Sequence, residues 1–279
     1  MNLTGPDRYA VIGDPVAHSR SPEIHAAFAQ QTGKAVSYDR LHAPRGTFAD
    51  AVGRFAASGG RGLNVTLPFK EEAFALAAER SARAQIAGAC NVLARNHGGW
   101  YGDNTDGAGL VRDLEHNLGW RLAGRSILVL GAGGAARGIV APLLGANPRR
   151  IAIVNRTHDK AVRLAAVFAS TGPVDAVPSD AVADRDFDVV INATSAAHAK
   201  PGTAAHEWPL LRARGELYAY DLSYGPAARA FLDWASARGA SAVSDGLGML
   251  VEQAAESFLV WRGVRPDTSA VLDALRAGA

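Results

Sequence analysis

Lys70 and Asp106 are the residues whose types best suit proton transfer. Lysine exchanges a proton at accessible cost, whereas arginine effectively never does. Of the 29 basic residues only Lys34, Lys70, Lys160 and Lys200 are lysines. A lysine directly after the strand-like run Asn64-Val65-Thr66-Leu67-Pro68-Phe69 therefore stands apart from an arginine background. Asp106 ends the run Gly102-Asp103-Asn104-Thr105-Asp106. If the two meet, they form an acid/base pair suited to interconverting a carbonyl and an alcohol. Taken singly, each also has a plainer role, a solvated lysine at a helix start or a helix-capping aspartate.

A second group of residues is suited to phosphate. The apolar run Ser126-Ile127-Leu128-Val129-Leu130 breaks at Gly131-Ala132-Gly133-Gly134-Ala135-Ala136, and a helix-forming segment follows. This is the G-x-G-x-x-A form of the dinucleotide fingerprint. Gly131 permits a tight turn, Gly133 lets the backbone approach a pyrophosphate, and Ala136 allows close helix–strand packing. The free N–H groups of the helix start then face the anion. A carboxylate roughly 20 residues on would take the ribose hydroxyls of NAD. This chain instead has Asn155-Arg156-Thr157, with Lys160 nearby. A carboxylate repels a 2′-phosphate, whereas a guanidinium and a hydroxyl bind it. NADP is the expected cofactor. Thr157 also suits the N-cap of the next helix.

Other polar residues have two readings each. Ser19 and Ser21 can offer hydroxyl donors to a carboxylate, and Ser21 before Pro22 also reads as an N-cap. Asn192-Ala193-Thr194-Ser195 follows a strand and can close over a cofactor or simply turn the chain. His18 and His25 read as structural. No histidine pair stands at metal-ligand spacing, and no nucleophile elbow, zinc-protease or Walker pattern is present, so no metal is expected.

These residues must be positioned by alternating strands and helices. Tyr9–Gly13, Val36–Tyr38 and Gly62–Leu67 read as strands, with helices after Ser21, around Phe48, Val52 and Phe55, and from Lys70. Asn91–Arg95 and Trp100–Gly102 flank His97-Gly98-Gly99, a hairpin signal. Thr105-Asp106 opens a helix that stops near Gly119. Beyond the fingerprint, strands at 151–154, 189–191 and 217–220 alternate with helices through Val162 and Phe231, and the chain from Gly246 on reads as helical. Such alternation predicts α/β architecture with parallel sheets. The fingerprint begins mid-chain, so a separate α/β domain precedes the cofactor domain. That first domain is expected to hold the substrate, with a catalytic cleft between the two.

Bulk properties exclude several classes. The 279 residues suffice for one large or two modest domains. Hydrophobic residues make up 48% and charged residues 20%, which fits a folded chain and not a disordered one. A net charge of +2 with scattered arginines gives no field that would favour nucleic acid or an anionic membrane. No apolar run reaches spanning length and the start lacks a leader pattern, so a cytoplasmic protein is expected. The lone Cys90 rules out an intramolecular disulfide.

Taken together the motifs closely resemble the shikimate dehydrogenase family over nearly the whole chain. The resemblance rests on Val11–Pro15 with His18–Pro22, on Asn64–Lys70, Gly88–Asn91 and Gly102–Gly107, then on Gly131–Arg137, Asn155–Thr157, Asn192–Ser195, Tyr220-Asp221-Leu222 with Tyr224, and Gly246–Leu250 with Gln253-Ala254. It implies reversible, NADPH-dependent reduction of 3-dehydroshikimate to shikimate, in aromatic amino-acid and chorismate biosynthesis. Carried over, Ser19 and Ser21, helped by Tyr224, would hold the substrate carboxylate. Thr66, Asn91, Asp106 and Gln253 would hold ring hydroxyls, and Lys70, paired with Asp106, would be the acid/base. The loop Gly131, Ala132, Gly133, Gly134 and Ala135 would bind pyrophosphate. Asn155, Arg156, Thr157 and Lys160 would bind the adenosine phosphate end, and Leu222 and Gly246 would flank the nicotinamide. The family pattern also returns the terminal helices to the first domain, giving 1–106 with 246–279 as the substrate domain and 107–245 as a Rossmann-type NADP domain.

The chain departs from the family pattern at Ala26, Val92, Ala197 and Arg229, none of them a proposed catalytic group. Two other functions fit the same motifs, a quinate/shikimate dehydrogenase that uses NAD and a dinucleotide-binding regulator without turnover. The expected partners are the small-molecule substrate and, for assembly, none or one further copy of the chain (monomer or homodimer).

Overall fold

The computed structural model describes residues 5–194, 208–211 and 215–278. Ser195, Ala197 and Lys200 lie outside the described residues. The chain divides into two compact units, Met1–Gly109 with Leu250–Ala279, and Leu110–Met249.

The first unit contains strands β1 (Asp7–Gly13), β2 (Val36–His42), β3 (Gly60–Val65), β4 (Glu79–Arg80), β5 (Val92–Asn96) and β6 (Gly99–Asp103). Helices α1 (Ser21–Thr32), α2 (Phe48–Ala57), α3 (Lys70–Leu76), α4 (Ala82–Ala87) and the start of α5 (Asp106–Arg112) alternate with them. The sheet order is β2-β1-β3-β5-β6-β4. β1 runs parallel to β2 and β3, whereas β5 runs antiparallel to β3 and β6. This sheet is thus mixed and not parallel throughout, because the tight turn at His97-Gly98-Gly99 reverses the chain where a helical crossover would have preserved its direction.

Periodicity explains the helices. In α2 the buried residues Phe48, Ala51, Val52 and Phe55 follow the 3.6-residue repeat that lays one apolar stripe on the sheet. In the terminal helix α9 (Leu247–Arg262) Val251, Ala254, Ala255 and Phe258 are fully buried, and α10 (Ser269–Ala277) follows. The Trp261 indole N–H donates to the Leu93 carbonyl at 3.0 Å, and its ring stacks on Tyr9. Ser21 lies inside the first turn of α1 and makes no capping bond. Its hydroxyl turns to Ser19 instead, so the expected cap is not formed.

The second unit is doubly wound. Strands β7 (Ser126–Leu130), β8 (Arg150–Val154), β9 (Val174–Ala176), β10 (Val189–Asn192), β11 (Tyr218–Asp221) and β12 (Ala242–Ser244) form a sheet ordered β12-β11-β10-β7-β8-β9, with every pair parallel. Helix α6 (Gly134–Gly145) crosses from β7 to β8, α7 (His158–Val167) from β8 to β9, and α8 (Arg229–Ser236) from β11 to β12. Every residue of β7 is buried. Ile127 and Val129 pack in one core while Leu128 and Leu130 pack in another, as expected of a strand covered on both faces. The order reverses between β7 and β10, and open parallel sheets bind ligands outside the carboxyl ends of strands at such a switch point.

Candidate active site

Strand direction gathers the polar residues of the first unit. β3 and β6 run the same way on either side of antiparallel β5, with Asn64 opposite Val92 and Val92 opposite Asp103. The carboxyl ends of β3 and β6 therefore meet the amino end of β5. Beyond β3 the chain turns through Thr66 into α3, which starts at Lys70. Beyond β6 it enters α5 at Asp106. Asn91, just before β5, lies between them.

The resulting cluster is closely bonded. The Lys70 ammonium donates to Asp106 Oδ2 at 2.6 Å. The Asn91 amide donates to Asp106 Oδ1 at 2.8 Å and lies 3.2 Å from Gln253 Oε1 on α9. Asn91 Oδ1 in turn accepts the Thr105 N–H at 2.7 Å, and Gln253 Nε2 donates to the Leu250 carbonyl. Both carboxylate oxygens of Asp106 are thus engaged, which fixes the plane it presents to Lys70. A quarter of the Lys70 side chain remains exposed, so its ammonium can meet a ligand.

Ser19 and Ser21 form a second group at the start of α1, with the Ser19 hydroxyl donating to that of Ser21 at 3.1 Å. Thr66 is half-buried, and its N–H donates to the Ile12 carbonyl. His25 is fully buried, stacked on Tyr38 and hydrogen-bonded to Asn64. Burial pushes its pKa down to about 3 against the raising effect of the Asn64 bond, in keeping with a structural histidine. Burial likewise pushes the Cys90 thiol up to about 12, which removes it as a nucleophile.

Asn64 and Tyr38 did not stand out in the sequence by residue type. The available signal was an amide inside the buried run Gly62-Leu63-Asn64-Val65, since a buried polar group requires partners.

In the second unit the remaining residues lie at the carboxyl ends of the parallel strands. Gly131 has φ +108° and a Cβ there would come within 2.9 Å of the Ala193 carbonyl oxygen. Asn155 Oδ1 accepts the Ala132 N–H at 3.2 Å, while its amide donates to the Thr157 carbonyl. The end of β8 is thereby tied to the glycine loop. Arg156, Thr157 and Lys160 are exposed at the start of α7, where Thr157 makes no side-chain cap. The Leu222 N–H donates to the Asn192 carbonyl, and the Gly246 N–H donates to the Ser223 carbonyl. A Cβ on Gly246 would lie 2.4 Å from the Leu222 carbonyl oxygen. Asp221 accepts from Asn192 and from the Ser223 N–H, each at 2.7 Å. Burial nevertheless raises its pKa to about 6. Tyr224 is half-buried just beyond, in a different unit from Ser19 and Ser21.

These features fit a dinucleotide phosphate. No side chain caps α6, so its first-turn amides are available, and Gly133 and Gly134 face open space. The positions after β8 offer a guanidinium at Arg156 and a hydroxyl at Thr157 before the first carboxylate, Asp159, and an ammonium just after it at Lys160. Among the described residues no group of histidine, cysteine and carboxylate side chains could hold a metal ion. No helix there is long and apolar enough to cross a membrane.

Comparison with known proteins gives the same direction. Residues 11–93 match the shikimate dehydrogenase substrate binding domain, 113–223 match shikimate / quinate 5-dehydrogenase, and 246–276 match the shikimate 5'-dehydrogenase C-terminal domain. The chain is 57% identical to a shikimate dehydrogenase (NADP(+)) of Aromatoleum aromaticum over 97% of both chains. An Ael1 enzyme from Pseudomonas putida is similar in structure, with a TM-score of 0.86 and 42% identity over 96% of this chain and 98% of that one. Shikimate 5-dehydrogenase from Thermus thermophilus, solved with NADP(H) and shikimate, gives 0.83 and 34% over 98% and 100%. With the three matched segments spanning both units and the identity running almost end to end, the chain belongs to the shikimate dehydrogenase family.

Proposed function

We propose that this chain catalyses the reversible NADPH-dependent reduction of 3-dehydroshikimate to shikimate. The observation that carries the reading is the Lys70–Asp106 contact of 2.6 Å, braced by Asn91 beside Gln253, in a chain so similar to NADP-dependent shikimate dehydrogenases. When bound, the dinucleotide supplies or accepts the hydride at its nicotinamide C4. Gly131–Ala135 hold its pyrophosphate, Asn155, Arg156, Thr157 and Lys160 its adenosine phosphate end, and Leu222 and Gly246 its nicotinamide.

Apart from Tyr224, the side chains that suit the substrate's charge and hydroxyl pattern belong to the first unit. Ser19 and Ser21, with Tyr224, take the carboxylate, while Thr66, Asn91, Asp106 and Gln253 orient the ring hydroxyls. Orientation of this kind replaces part of the entropic cost of bringing the reactants together. As the carbonyl carbon gains the hydride its oxygen becomes an alkoxide, and Lys70 Nζ gives that oxygen a proton. In the oxidative direction Lys70 takes the proton from the hydroxyl as the hydride leaves carbon. Asp106 holds Lys70 in place for both directions.

Turnover of shikimate and of quinate, each with NADP⁺ and NAD⁺, tests the reading by the absorbance of the reduced nicotinamide. Shikimate with NADP⁺ should be fastest. Equal rates with quinate or NAD⁺ would favour the broader quinate/shikimate activity, and tight NADPH binding without any turnover would favour a regulator.

A further inference from the structure

Apart from Tyr224, the residues assigned to the substrate carboxylate and those assigned to the ring hydroxyls form two groups in the first unit, and one side chain touches the link between them. Tyr38 lies on β2, the edge strand beside β1. Its hydroxyl donates to Asn64 Oδ1 at 2.7 Å, and the Ser21 hydroxyl lies beside its oxygen. His25 also bonds Asn64 Oδ1, at 3.2 Å, so its Nε2 is the protonated ring nitrogen. The Asn64 amide donates to the Ser257 hydroxyl at 2.9 Å and reaches the Asn91 carbonyl at 3.4 Å. Ser257 then donates to the Gln253 carbonyl at 2.8 Å.

Ser19 gives to Ser21, Ser21 faces Tyr38, Tyr38 gives to Asn64, and Asn64 gives to the supports of Asn91 and Gln253. The buried amide of Asn64 uses its full bonding capacity, two donors to its oxygen and two acceptors for its N–H groups. Fully satisfied buried networks of this kind fix geometry more rigidly than isolated bonds do.

We propose that the Tyr38 hydroxyl is a positioning group that couples Ser21 to the Asn91–Gln253 pair, so that the carboxylate and hydroxyl contacts keep a fixed mutual spacing. The inference rests on the proposed function. Tyr38 touches neither Lys70 nor Asp106, so its loss weakens substrate binding and leaves proton transfer largely intact.

Steady-state kinetics of the wild type, Tyr38→Phe, Ser21→Ala and the double variant test the coupling. Phenylalanine keeps the ring stacked 4.2 Å from His25, and Asn64 Oδ1 keeps its His25 partner, so the variant should fold and bind NADPH as the wild type does. Tyr38→Phe should raise the KM for shikimate about five- to tenfold, the effect of one hydrogen bond of ordinary net strength, with kcat and the NADP⁺ KM within about twofold. The double variant should raise KM by less than the product of the single effects, as expected of groups in one network. An unchanged shikimate KM, a multiplicative double variant, or an equal rise in the NADP⁺ KM would overturn the inference while leaving the proposed function in place. A wild-type chain that does not oxidise shikimate would overturn both.

Discussion

His25 illustrates how a single residue's environment decides its role. Its ring is buried and bonded to Asn64, and with a pKa near 3 it stays neutral while an exposed histidine, near 6.5, would charge. Between those values the unfolded chain binds a proton that the folded chain does not, so stability falls as the pH is lowered. The loss should be about 1.4 kcal/mol per pH unit below pH 6.5, and His25→Gln should abolish this component. Urea unfolding of both proteins at pH 7 and pH 5 checks this, and parallel losses would show that His25 does not carry it. Residue types alone marked Lys70 and Asp106 as candidates, a lysine in an arginine-rich chain and an aspartate after Asp103-Asn104-Thr105, whereas Thr66, Asn91, Tyr224 and Gln253 entered only through the family resemblance. Tyr38 and Asn64 were not visible in this way. Their importance lies in what they touch, and contacts between residues 26 positions apart leave no local pattern.

At the scale of elements, the strand ends explain which residues converge, and loop backbones set the tolerances. Gly246 sits where β12 passes into α9, with the Leu222 carbonyl so close that even a methyl group has no room. Gly246→Ala must displace one of these loops, and backbone strain of this kind costs about 1–3 kcal/mol. NADPH affinity should fall about tenfold or more while shikimate recognition by the first unit persists. Fluorescence titration of NADPH measures this, and wild-type affinity would remove the Leu222–Gly246 pair from the nicotinamide site. The longer elements follow their hydrophobic period, so β7, α2 and the hairpin β5–β6 are legible. The two-residue β4, the six-residue α4 and the three-residue β9 are too short to show a period. The hairpin had a further consequence that turn residues alone did not convey, since it makes the first sheet mixed.

At the scale of the whole molecule, the chain leaves its first unit after Gly109 and returns to it at Leu250. The dinucleotide fingerprint is inserted between, in a sheet with the doubly wound order. Its mid-chain position showed that another domain precedes it, while the return of the terminal helix came only from family resemblance, because α9 carries no motif for its packing partners. This division separates the chemistry by residue. Lys70 and Asp106 belong to one unit and the glycine loop to the other. The most direct test is therefore Lys70→Ala, assayed for shikimate oxidation and for NADPH binding. Turnover should fall by about 10²–10⁴-fold, the usual contribution of a positioned acid/base, with NADPH affinity within about twofold of wild type. Undiminished turnover would contradict the assignment of proton transfer to Lys70.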